Sequence, residues 1–169
     1  MKNSSDGARE ELSGTIKVIG IGQSLRGDDA AGPAAVQLWR QRYPATAERP
    51  DVQVELAELP GIGLLNLLEG SSVVILVDAI RSDAQPGTIH LLTENQLETF
   101  QPGAGSAHGW GVAETLSLGQ KLRLTSLPRK LILIGIEAGQ LNMGETLSPE
   151  VEAALPEVAR QIERLVNHK

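Results

Sequence analysis

The chain has no cysteine, and its 169 residues include only four aromatics, Trp39, Tyr43, Phe100 and Trp110. Without cysteine there can be no disulfide, no thiol nucleophile and no thiolate metal site supplied by this chain. With so few aromatics, aliphatic side chains must fill the interior, and a hydrophobic content of 41% is enough for one globular domain. Basic residues are also in short supply: 15 Lys and Arg against 21 Asp and Glu give a net charge of -6. Nucleic acid and anionic membranes both call for clustered positive charge, so neither is an expected partner. No apolar run is long enough to span a bilayer, and residues 1 to 14 are polar rather than a secretion signal. These residues read as a disordered tail ahead of a single domain from 15 to 169, in a cytoplasmic protein. No long exposed apolar stripe demands a second copy, so a monomer is expected.

What is present is an alternation of strand-like and helix-like segments. Thr15 to Gly22 is an apolar, strand-like run, and Asp29 to Tyr43 places Ala31, Ala34, Ala35, Leu38 and Trp39 at helical spacing. Val52 to Leu56 reads as a second strand and Ile62 to Leu68 as a short helix. The continuous run Val73 to Val77 has the character of a strand covered on both faces, as in a parallel sheet, and Asp78 closes it. Gly87 to Leu92 reads as a further short strand, Pro102 to Ala107 as a loop, Val112 to Leu122 as a helix and Lys130 to Ile136 as another buried strand. Ser148 is the expected N-cap of a last helix, with Pro149 at its first position, Arg160, Arg164 and Lys169 toward its negative end, and a kink at Pro156. This order predicts a single-domain α/β three-layer sandwich, a mainly parallel twisted sheet with helices on both faces. In such a fold, ligands lie beyond the carboxyl ends of the strands.

That rule directs attention to Gly20-Ile21-Gly22-Gln23-Ser24-Leu25-Arg26-Gly27-Asp28-Asp29, where a strand runs through a glycine loop into a helix. A loop of this kind often cradles phosphate on backbone N–H groups. Here two adjacent carboxylates stand where the phosphate would lie, which makes a cation the better guest. The competing reading is that Asp28 only caps the helix beginning near Asp29. Asp78, closing its own strand, falls on the same rim. Of the three histidines, His90 lies within a short strand and His168 at the terminus, whereas His108 sits in the turn Ser106-Ala107-His108-Gly109-Trp110. Asp29, Asp78 and His108 together make a mixed oxygen and nitrogen set suited to nickel or zinc, with coordination positions left open. Against this stands a plainer reading, with Asp78 satisfied by its loop and His108 an ordinary surface residue.

Three stretches carry a family resemblance: Gly22-x-x-Leu25-x-Gly27-Asp28-Asp29-x-x-Gly32-Pro33, then Val77-Asp78-Ala79-Ile80 followed by Pro86-Gly87-Thr88, then Ser106-Ala107-His108-Gly109. Together they span most of the chain, which resembles the hydrogenase maturation endopeptidases that process the large subunit of nickel-iron hydrogenases. Residue by residue, the resemblance implies that Asp29, Asp78 and His108 contact metal. It further implies that the metal is nickel already installed in the precursor of the large subunit, a feature of the substrate rather than a resident cofactor. The implied reaction removes a short C-terminal extension from that precursor. The chain departs from the family pattern in three places. Gln23 replaces a frequent Asn, Asp29 replaces a frequent Glu, and Glu58-Leu59-Pro60-Gly61 stands where Asp-Gly-Gly-Thr is common, so Glu58 is given no role.

The attacking group is not fixed by these motifs. Neither Ser24 nor Ser106 sits in a Gly-x-Ser-x-Gly elbow, and no Ser-His-Asp set can be assigned. Water activated by a carboxylate or a metal is therefore expected, with Asp28 as the candidate for general-base or positioning work. Two other classes remain on the sequence alone. One is a nucleotide-binding module using Gly20-x-Gly22 and Glu58; the other is a scaffold that binds nickel and precursor without cutting.

Overall fold

The computed structural model of the protein describes residues 14–58, 61–99, 115, 119 and 127–168. Strand β1 (Ile16–Ile21) leads through a 3-10 turn, Gly27–Ala30, into helix α1 (Ala31–Arg42), and a single turn α2 (Pro44–Ala47) leads to β2 (Val52–Ala57). A second 3-10 turn, Gly61–Gly63, and α3 (Leu64–Leu68) precede β3 (Val73–Ile80), β4 (Ile89–Thr93) and α4 (Glu94–Thr99). Strand β5 (Lys130–Glu137) and the long helix α5 (Pro149–Asn167) follow. The strands form one five-stranded sheet in the order β2-β1-β3-β5-β4. Every pair is parallel except β4 with β5, which is antiparallel.

Alternation along the central strands divides their side chains between two cores. Ile16, Val18, Ile75, Val77, Ile134 and Ile136 face α1 and α5, and from α5 Val151, Leu155, Val158, Ala159, Ile162 and Val166 fill the space at helical spacing. Ile19, Ile21, Val74, Leu76, Leu131 and Leu133 face the other way, onto Leu64 and Leu68 of α3 and Leu97 of α4. Helices thus cover both faces, as the sequence predicts. The fully buried Trp39 joins α1 to α5, since its Nε1–H donates to Glu163 Oε2 at 2.9 Å. Thr46 Oγ1 donates to the other oxygen of that carboxylate at 2.7 Å and ties α2 to the same point.

Two details differ from the sequence reading, the end of β3 and the capping of the last helix. Strand β3 does not stop at Asp78 but continues to Ile80, because β5 goes on pairing with it as far as Glu137. Helix α5 runs through Pro156 unbroken. The hydrogen bond that proline cannot make is the one to the carbonyl of Glu152, an exposed residue whose backbone water can reach. Ser148 does occupy the N-cap position and Pro149 follows it, but the serine side chain does not cap its own helix. Of the helix expected at Val112 to Leu122, only Thr115 and Gly119 are among the described residues, and both are helical. Residues 1–13 and the loop Pro102 to Ala107 lie outside them.

Candidate active site at the carboxyl rim of the sheet

Two close backbone approaches set the position of the first acidic loop. A Cβ on Gly32 would lie 2.3 Å from the carbonyl oxygens of both Ile21 and Val77, so only glycine lets α1 begin wedged against the ends of β1 and β3. Gly22, at φ 143°, folds the loop back so tightly that a Cβ there would stand 1.8 Å from the carbonyl oxygen of Asp29. The turn bearing Asp28 and Asp29 is thereby held at the carboxyl ends of β1 and β3.

Asp29 is fully buried, and its Oδ2 accepts the backbone N–H of Gln23 at 3.0 Å. Asp78 is buried on β3 opposite Gly135 of β5, one residue beyond the β1–β3 pair Gly20 and Val77. The structure therefore brings Asp29 and Asp78 to one rim of adjacent strands, from segments far apart in the sequence. His108 lies outside the described residues. Among the described residues, no group of three or more His, Asp or Glu is arranged to hold a metal ion.

Asp28 does something its local sequence does not reveal. It caps no helix of its own segment, as α1 has no side-chain cap at its start. Its carboxylate is instead surrounded by four donors from the distant segment between β5 and α5. Gly139 N and Gln140 N donate to Oδ2 at 2.8 and 2.9 Å, Ser148 Oγ donates to Oδ2 at 2.9 Å, and Ser148 N donates to Oδ1 at 2.6 Å. Asp28 N in turn donates to the carbonyl of Gln140 at 2.9 Å. The charge lies at the N-terminus of α5, where the helix dipole favours it. Asp28 is thus an external cap for α5 and a staple between the loops after β1 and β5. With no exposed surface, it is built for positioning.

The same two loops are joined further out. Gly144 N donates to the carbonyl of Leu25 at 2.8 Å, Gly27 N to that of Glu145 at 3.1 Å, and Arg26 Nε to that of Leu141 at 3.2 Å. They form one continuous wall beside the acids.

Sequence reasoning missed a fourth buried carboxylate on this rim. Glu137 closes β5, accepts Ser82 N at 2.8 Å and Ser82 Oγ at 2.7 Å, and lies 3.3 Å from His90 Nε2. The signal was available, for Glu137 ends an apolar strand just as Asp78 follows one. This trio is not a Ser-His-acid relay. The serine hydroxyl gives its proton to the carboxylate rather than to the imidazole, so His90 is not its base.

Comparison with known proteins resolves the class of chemistry. The family profile described as hydrogenase maturation protease matches residues 46–165. The chain belongs to that family. Hydrogenase 2 maturation protease of Escherichia coli K12 is 32% identical over 150 residues, covering 87% of each chain. The hydrogenase expression/formation protein HupD of Bradyrhizobium diazoefficiens is 31% identical over 138 residues, covering 80% of this chain and 69% of its own. Among solved structures, hydrogenase maturating endopeptidase HybD from E. coli superposes with a TM-score of 0.76 at 25% identity, covering 90% of this chain and 92% of that one. HybD from Thermococcus kodakarensis gives 0.69 at 25% identity, covering 90% and 99%. This hydrogenase maturation protease is thus a processing peptidase with a five-stranded α/β fold, and its buried acids line the rim where ligands of such sheets bind.

Proposed function

We propose that this protease removes a C-terminal extension from the large-subunit precursor of a nickel-iron hydrogenase, and that it does so only after nickel has been installed. In this reading Asp29, Asp78 and His108 contact nickel that belongs to the substrate, and the metal places the scissile peptide at the rim. The observation that supports it most is the pair of buried carboxylates, Asp29 and Asp78, on the carboxyl rim shared by two adjacent strands in a maturation protease. Carboxylates kept from water favour a positively charged guest. Asp28 and Asp29, in the turn that leads into α1, disfavour the phosphate of a nucleotide-binding module.

The attacking species is water, placed by the metal and the rim carboxylates, since the chain has no cysteine and the hydroxyl of Ser82 is committed to Glu137. Asp28 acts one step back, by fixing the turn that carries Asp29. The test uses Asp29→Asn, Asp78→Asn and His108→Ala proteins, each checked for a native circular dichroism spectrum, with nickel-loaded precursor as substrate. Each substitution is expected to abolish release of the C-terminal peptide while leaving the fold intact. Undiminished release by all three would reject the assignment of these residues. A wild-type protein that binds the precursor but never releases a peptide would favour the non-catalytic scaffold.

A further inference from the structure

Large apolar side chains exposed among the described residues are Leu25, Leu56, Ile62, Leu91 and Met143. Their distribution is uneven. Leu25 lies on the loop after β1, Ile62 on the turn after β2 and Met143 on the loop after β5, all beyond the carboxyl ends of strands. The turns at the opposite rim, residues 43–51, 69–72 and 127–129, expose none. Leu25 and Met143 are each 71% exposed, and their loops are joined by the hydrogen bond from Gly144 N to the carbonyl of Leu25. A single exposed leucine needs no explanation, but two apolar side chains on stapled loops beside a buried acid pair are a different case. The Asp28 carboxylate and three further loop-to-loop bonds already hold this wall in place, so little ordering cost remains when a partner covers it.

We propose that Leu25 and Met143 form an apolar grip for the precursor polypeptide, seating a hydrophobic stretch of the substrate beside the peptide bond that is cut. This deepens the function proposed above and rests on it. The occupant follows from position. Leu25 lies four residues ahead of Asp29, in the loop that ends in the acidic turn, so the polypeptide that a processing peptidase holds at this rim is the partner within its reach. The Leu25 and Met143 side chains are both uncharged, and what they offer that partner is apolar contact. Methionine suits the task, because its flexible thioether adapts to a partner's shape.

Leu25→Gln, Met143→Gln and the double variant test the grip. The glutamine keeps the side chain long and uncharged, and at sites this exposed the fold should be unaffected. Binding of unprocessed nickel-loaded precursor is measured by calorimetry, cleavage by steady-state kinetics and assembly by sedimentation. Each single substitution is expected to weaken binding and raise KM roughly tenfold, as the loss of one buried apolar contact would. At the same time kcat and melting temperature stay at the wild-type values. Unchanged KM and affinity in the double variant would overturn the grip even if the wild type cleaves normally. A wild-type dimer that the double variant dissociates would also overturn it, because the patch would then belong to a second copy of the chain. If the wild type binds precursor without cutting it, the cleavage proposal fails, while the affinity ratio still decides the grip.

Discussion

Asp28→Asn separates positioning from base catalysis. The substitution keeps the shape of the side chain but turns one oxygen into a donor. If the amide oxygen takes the Oδ2 place it keeps Gly139 N, Gln140 N and Ser148 Oγ, but its NH2 then confronts Ser148 N–H at the 2.6 Å contact. If it flips, two backbone N–H groups lose their acceptor instead. Either way at least one bond to a charged group disappears and a buried donor is stranded, at about 2–4 kcal/mol in total. For a chain of this size that predicts a melting temperature lower by about 5–15 °C. Ser148→Ala, which removes only the hydroxyl bond, should cost about 1 kcal/mol. The assay is thermal and urea unfolding of the three proteins, alongside cleavage rates well below the variants' melting temperatures. Slowed but measurable cleavage, with a pH profile of the same shape, is expected of Asp28→Asn. A protein of wild-type stability whose cleavage is abolished would refute the positioning role and restore the general base.

Three further outcomes follow from the packing. Gly32→Ala drives a Cβ against two backbone carbonyls that cannot turn aside, so a loss of about 3 kcal/mol or more is expected, read as a lower urea midpoint or as insoluble protein. Trp39→Phe deletes the N–H bonded to Glu163 and some buried volume, and should lower stability by about 2 kcal/mol without changing the urea m-value. Glu157 on α5 is held below the ordinary carboxylate range by its hydrogen bond from Arg160, aided by the nearby charges of Arg160 and Arg164. A group lowered in this way stabilises the fold above its unfolded value and loses that effect as the pH falls through the folded one. Melting curves of Glu157→Gln against wild type should therefore differ slightly at neutral pH and converge in acid, the gap being small because the pair is exposed.

Much of the fold was legible because its signals are local. Continuous apolar runs mark β1, β3 and β5 as strands buried on both faces, and helical spacing marks α1 and the last helix. The rule that ligands gather at carboxyl ends then places Asp29 and Asp78 on one rim from the sequence alone. What escaped the sequence depends on partners far along the chain. The donors around Asp28 come from positions 111 to 120 residues downstream, so nothing near Asp28 could distinguish a helix cap from a staple. Ser148 looked like a self-sufficient N-cap for the same reason, since its hydroxyl is spent on Asp28. The extension of β3 past Asp78 is likewise set by pairing with β5 and not by residues 78 to 80 themselves. Glu137, His90 and Ser82 meet only because the antiparallel edge strand lays His90 opposite Gly135.

The most direct measurement compares nickel-loaded with nickel-free precursor of the large subunit, each incubated with the purified protease and weighed by intact mass spectrometry. The metal-checked reaction predicts loss of one defined C-terminal peptide from the loaded precursor only. Equal cleavage of both forms would contradict nickel as the recognition element. Cleavage of neither, with folded enzyme and the cognate precursor, would contradict the proposed reaction itself.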